Sequence, residues 1–158
     1  MGRLSAFLGI TVVLCLTASC TLGEQRKARA GLDASVAQLP ELREFDTVEV
    51  VHREFSHSGP RTTCYYARAY AIIGTSLPAE QALDVYVEEL QSLGWEFDGR
   101  QYKTERGLKR GVYELVVVRS GEPGVDVKDA VDYAQLRAVY PTIIFVRLDF
   151  MLPNRDKC

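Results

Sequence analysis

The spacing of apolar and polar residues changes several times along the chain, and each change marks an element. Residues 4 to 16 are almost continuously apolar. The stretch from Thr21 to Phe45 opens polar and reads as a solvated tether, with one short helix around Ala28 to Leu39 that Pro40 ends. "TVEVVHREF", from Thr47, is β-branched and loosely alternating, which predicts a strand, and "SHSGPR" reads as a turn. "TCYYARAYAII" alternates without a break. Tyr65, Ala67, Ala69, Ala71 and Ile73 share one face; Cys64, Tyr66, Arg68, Tyr70 and Ile72 share the other. Three alanines on one face let a helix approach closely.

That helix is predicted over "SLPAEQALDVYVEELQSLG". Ser76 is its candidate cap, Pro78 falls in the first turn, and Glu80 lies near the positive end of the helix dipole. Ala79, Ala82, Leu83, Tyr86, Leu90 and Leu93 form an apolar stripe, and Gly94 is placed to end the helix. "WEFDGRQYKTE" then predicts a strand broken at Asp98-Gly99, "RGLKRG" a turn, and "VYELVVV" a buried strand. "DVKDAVDYAQLRAVY" has Val127, Ala130, Val131, Ala134 and Ala138 at helical spacing. "TIIFVRLDFML" closes as a strand, with Ile143, Phe145, Arg147 and Asp149 on one face.

Strand, helix, strand, strand, helix, strand predicts an α+β domain: an antiparallel sheet with one or two helices packed on one face, most simply a ferredoxin-like split βαβ unit. The first and last strands are then antiparallel neighbours. The strand at 47 to 55 competes for the same edge, and a loop in place of the second helix would leave a meander.

The first twenty residues carry a separate message. Arg3 precedes the apolar run Leu4 to Leu16, which is shorter than the about 20 residues of a membrane-spanning helix. A basic start, a short apolar stretch and small residues before a cut mark an export signal. Leu16-Thr17-Ala18-Ser19-Cys20 resembles the lipobox of bacterial lipoproteins. The resemblance implies that residues 1–19 are a signal peptide removed just before Cys20, and that Cys20 carries a diacylglyceryl group. Residues 20–45 would then be lipid anchor and tether, and 46–158 the single domain. An ordinary secretory signal with an incidental Cys20 is the alternative. Stable attachment takes two acyl chains, each buried CH₂ contributing about 0.8 kcal/mol. The protein would sit on the cell membrane or outer membrane, facing an extracytoplasmic space; by the family's rule, Thr21 after the cysteine permits transport to the outer one.

From Leu39 onward the chain also resembles a group of small bacterial envelope lipoproteins, through Leu39-Pro40, Tyr86 and Leu93-Gly94-Trp95. These are packing motifs, so the likeness implies a fold and no activity.

Composition narrows the partners. Residues 1–19 contain only Arg3 among the charges, so 19 basic and 21 acidic residues become 18 against 21, a net of −3. Such a domain lacks the basic excess that a nucleic-acid partner calls for. Of four cysteines, Cys15 leaves with the signal and Cys20 takes the lipid. Cys64 and Cys158 are left in a compartment where disulfides form, and a bridge between them would close a loop of about 90 residues, stabilising by roughly 4 kcal/mol. The neighbouring first and last strands favour that bridge over two free thiols.

Chemistry is sparse. Gly-rich phosphate loops, a nucleophile-elbow serine, CxxC and HExxH are absent from the sequence. His52 and His57 have no common metal-ligand spacing, and Asp126, Asp129 and Asp132 read as a helix's polar face rather than a cation site. Arg100, Lys103, Arg106, Lys109 and Arg110 form a basic hairpin that reads as solvated. If helices cover the alanine face, Tyr66, Arg68, Tyr70, Phe145 and Arg147 point away from them, and Tyr and Arg are enriched where proteins bind one another. A second layer, such as the segment of the 20s to 40s, is the competing occupant of that face. The sequence therefore predicts a lipid-anchored, non-enzymatic module without cofactor or metal, binding an envelope protein through this Tyr/Arg surface. A small-ligand pocket between sheet and helices is the second reading.

Overall fold

The computed structural model describes residues 23, 25–59, 62–111, 114–122 and 131–152, with backbone only at 52–59, 62–66, 100 and 152. Residues 1–19, expected as a signal peptide, and Cys20, Asp126, Asp129 and Cys158 lie outside the described residues.

Helix α1 covers residues 25–36. It is followed by β1 (Phe45–Gly59), β2 (Thr62–Thr75), α2 (Ala79–Ser92), β3 (Glu96–Tyr102), β4 (Glu105–Arg110), β5 (Glu114–Ser120), α3 (Tyr133–Val139) and β6 (Thr142–Leu152). The strands form one sheet in the order β1-β2-β6-β5-β4-β3, with every neighbouring pair antiparallel. Helix α2 carries the chain from β2 to the far edge at β3. A meander of β3, β4, β5 and β6 then returns until β6 lies beside β2.

The α+β class and antiparallel sheet stand, and β2 and β6 are neighbours, paired from Tyr65↔Leu152 to Thr75↔Thr142. The strand at 47 to 55 does not displace β6, because β1 takes the other edge of β2. The ferredoxin-like order is not the one found. "RGLKRG" is strand β4 rather than a turn, and one added strand reverses the direction of β5. β5 therefore pairs directly with β6 instead of lying next to β2. The predicted turn "SHSGPR" also gives way to strand, since β1 and β2 pair out to Gly59↔Thr62.

The alanine face holds the main core. Ala67, Ala69, Ala71 and Ile73 meet Ala82, Leu83, Tyr86, Val87 and Leu90 of α2, with Leu108, Val116, Val118, Ile144, Val146 and Leu148 from the other strands. Pro78, not Ser76, occupies the N-cap position of α2 and makes no side-chain cap bond. Gly94, at φ 86°, ends the helix as predicted, with Trp95 N–H donating to the Leu90 carbonyl at 3.2 Å.

Residues 25–36 are not a solvated tether. Ala28 and Leu32 are buried in the same core, and Gly31 lies so close to the Phe150 ring that a Cβ would overlap it. Helix α1 thus lies on the alanine face beside α2 and is not the layer that covers the Tyr/Arg face. That layer is α3, so the helices occupy both faces of the sheet rather than one.

Two further expectations are corrected. No disulfide is present among the described residues. The side chain of Cys64 and the whole of Cys158 lie outside the described residues. Among the described residues no helix is long and apolar enough to cross a membrane, so the expected membrane association does not run through a spanning helix there.

Candidate functional site

The face of the sheet opposite α1 and α2 is divided in two. On one half, Val131, Tyr133, Leu136 and Tyr140 pack over Tyr70, Ile72, Ile143 and Phe145. Asp132 caps this short helix by accepting from Gln135 N–H at 3.1 Å, and Tyr133 donates its hydroxyl to the Gly121 carbonyl at 2.9 Å. Gly74 allows the Tyr140 ring to lie directly on β2, where a side chain would collide with it. Tyr70 and Phe145 are consequently only 5 and 6 % exposed. They are core residues beneath α3 and not an exposed contact surface, which corrects their expected role.

The other half is uncovered by any described helix and holds a charged group. Arg68 on β2 lies directly opposite Asp149 on β6, and Arg147 lies opposite Tyr70. The Arg68 guanidinium forks onto the Asp149 carboxylate, Nε donating to Oδ1 and Nη2 donating to Oδ2 at 3.2 Å. Arg147, two residues along β6 on the same face, brings its Nε to 3.3 Å from Oδ2. That nitrogen is buried and makes no hydrogen bond. The side chain of Asp149 is 7 % exposed, those of Arg68 and Arg147 19 and 30 %. Two guanidiniums therefore meet one buried carboxylate in the middle of a sheet face. Burial alone would pull the Arg68 pKa down, but hydrogen bonding and Coulomb attraction to Asp149, with smaller contributions from Tyr70, hold it above its ordinary value. The surroundings are mixed: partly exposed Leu115 and exposed Lys109 lie in the same cross-strand row, and Met151 is 43 % exposed on the same face of β6. Tyr66 falls opposite Met151 by register.

A second polar chain joins α1 to the sheet. Ser35 donates its hydroxyl to Glu114 at the start of β5, and Glu114 also receives Arg110 through Nε at 2.7 Å and Nη2 at 2.9 Å. The Arg110 guanidinium stacks 4.6 Å above the Trp95 ring. The hydrogen bond from Arg110 holds the Glu114 pKa below its ordinary value, burial opposes this, and Ser35 adds to the lowering. Part of the expected basic hairpin is therefore structural. Arg110 is committed here, and Arg106 reaches Asp84 on α2 at 3.3 Å; Lys103 and Lys109 remain exposed.

Among the described residues, no His, Cys, Asp and Glu side chains gather in groups of three that could hold a metal ion. The chemistry this face offers is recognition of an anionic or hydrogen-bond-accepting group. Asp149 is the site residue that its local sequence does not mark as functional. Its alternation with Phe145 and Arg147, combined with the neighbouring first and last strands, was signal enough to pair it with Arg68.

No family model matches the chain, and neither the curated proteins nor the solved structures contain a significant match. The likeness to envelope lipoproteins drawn from Leu39-Pro40, Tyr86 and Leu93-Gly94-Trp95 receives no support from these comparisons.

Proposed function

We propose that this protein is a cell-envelope lipoprotein, held by acyl chains on Cys20, whose domain is a non-enzymatic binding module for another envelope protein. The contact surface is the half of the sheet face that α3 leaves open, centred on Arg68 and Arg147. Tyr70 and Phe145 border that surface beneath α3, and Met151 and Leu115 supply its apolar margin.

One observation carries the reading. A sheet that needed only stability would gain little from three charges at its centre, because buried ion groups are often matched or exceeded by apolar residues of the same volume. Here two of the charges are arginines that meet the same buried carboxylate. Partly exposed guanidiniums held in place by a buried carboxylate form a preorganised site for an acidic side chain or chain terminus on a partner. Arginine surrounded by apolar side chains is also the composition of interface hot spots.

A small-ligand function is the second reading, and the Tyr86 hydroxyl is the observation that favours it. This hydroxyl is buried between α2 and the sheet with no hydrogen-bond partner among the described residues, and such groups call for an explanation.

In-cell crosslinking tests the first reading, with a photo-reactive residue in place of Met151 and a control in place of exposed Glu88 on α2. A discrete protein adduct from position 151 alone supports the module. Equal adducts from both positions, or none from either, reject it.

A further inference from the structure

We infer that the first turn of α1 docks the domain on the anionic bilayer that holds its anchor, so that the domain lies against the membrane and does not hang from a flexible leash. This inference rests on the acylation of Cys20 proposed above and adds an orientation and a second partner, the lipid surface.

Two independent observations lead to it. The first is reach. The residues expected to form a tether are built into the fold: Gly23 and residues 25–36 are helical, with Ala28 and Leu32 buried in the core and Ser35 bonded to Glu114. Only residues 21–24 separate Cys20 from residue 25. Whatever path they take, five Cα steps span at most about 17 Å. A domain of this size has a radius of gyration of about 14 Å and is therefore roughly 35 Å across, so the leash is shorter than the body it holds. The second observation is charge. Residues 21–30 carry Arg26, Lys27 and Arg29 against Glu24, a net of +2 in a chain whose total is −2. Arg26 and Lys27 are exposed on the first turn of α1. Arg29 is partly exposed and paired with Asp33 one turn on, at 3.2 Å. Basic residues adjoining an anionic surface are attracted to it, each by a modest amount. That is small against the acyl anchor, yet sufficient to choose among orientations of a body already confined there. The functional consequence is a limit on range: the binding face serves partners in or on the same membrane.

Energy transfer from Trp95, the only tryptophan, to dansyl-labelled lipid tests this. The acylated mature chain is reconstituted in phosphatidylcholine vesicles with and without added phosphatidylglycerol, alongside Arg26→Glu/Lys27→Glu. Trp95 is tied to α1 through Arg110, Glu114 and Ser35, so it reports how that helix sits. The expected result is that both proteins pellet with both vesicles, while the wild type alone shows transfer about twofold higher on the anionic ones, reduced by salt. Pelleting with transfer indifferent to lipid charge and to the charge reversal overturns the docking and leaves the anchor standing. Absence of pelleting, with no acyl mass on Cys20, overturns the anchor and the docking together.

Discussion

Arg68 and Asp149 stand directly opposite each other on β2 and β6, and the guanidinium of the first forks onto the carboxylate of the second. The pair fixes the relative position of two central strands, and it fixes Arg147, which leans on the same carboxylate. The three side chains therefore behave unequally on mutation. Asp149→Ala leaves two guanidiniums without their counter-charge and should destabilise by about 3–5 kcal/mol. Arg147→Ala, at the more exposed end, should cost about 1 kcal/mol or less. Urea unfolding of the two variants measures the difference, and equal effects would mean that Asp149 does not organise the group.

Glu114 links acid sensitivity to the docking of α1. Its folded pKa lies below the ordinary 4.5, through Arg110 and then Ser35, with burial opposing. The stability it contributes is complete above 4.5 and is lost as pH falls from there through the lower folded value. Glu114→Gln should remove that part of the pH dependence of Tm, while leaving the protein less stable than wild type near neutrality. A Tm profile below pH 4.5 that is the same in both proteins would contradict the linkage.

Helix α1 should behave as part of the folded domain. Leu32→Ala removes a fully buried side chain and should cost about 2–5 kcal/mol. Gly31→Ala places a methyl group against the Phe150 ring and should cost about 1–3 kcal/mol. Calorimetry decides: Tm values close to wild type in both would return residues 25–36 to the status of a tether.

Tyr86 offers a test in the opposite direction. Its hydroxyl is buried with no partner among the described residues, and burial pushes its pKa up. Tyr86→Phe keeps the ring beside Phe45, 5.7 Å away between centroids, and removes a desolvated polar group. It should be neutral or stabilising by about 1 kcal/mol. Destabilisation of that size in chemical unfolding would show that the hydroxyl is bonded in the native protein, through a water or a ligand.

Periodicity made much of this fold legible, and the misreadings have definite physical origins. The alanine face of β2, the stripe of α2 and the alternation of β6 are strict patterns produced by one-sided burial, and each element was found with nearly its full length. β4 was read as a turn because Gly107, Lys109 and Arg110 resemble loop residues. Leu108 is in fact buried, and Gly107 lies beneath the Asp98 side chain, where a Cβ would collide. Those reasons are tertiary and leave no trace in local composition. The same omission reversed β5 and hid the true strand order. α1 was underrated because polar residues hide its narrow buried stripe of Ala28, Leu32 and Ser35. For the candidate site, Arg68 and Arg147 were visible as outward-facing charges. The covering of Tyr70 and Phe145 was not, since it depends on where α3 folds back.

The contact role of the open sheet face is the central claim, and one comparison tests it most directly. A photo-reactive residue at Met151 is crosslinked in cells in the wild-type background and again with Arg147→Glu, after confirming that the two proteins have similar Tm. The expected result is a discrete partner adduct in the first and its loss in the second, because the reversed charge repels an acidic partner group. An adduct of undiminished intensity in Arg147→Glu would contradict it, and would mean that whatever meets this face does not use its arginines.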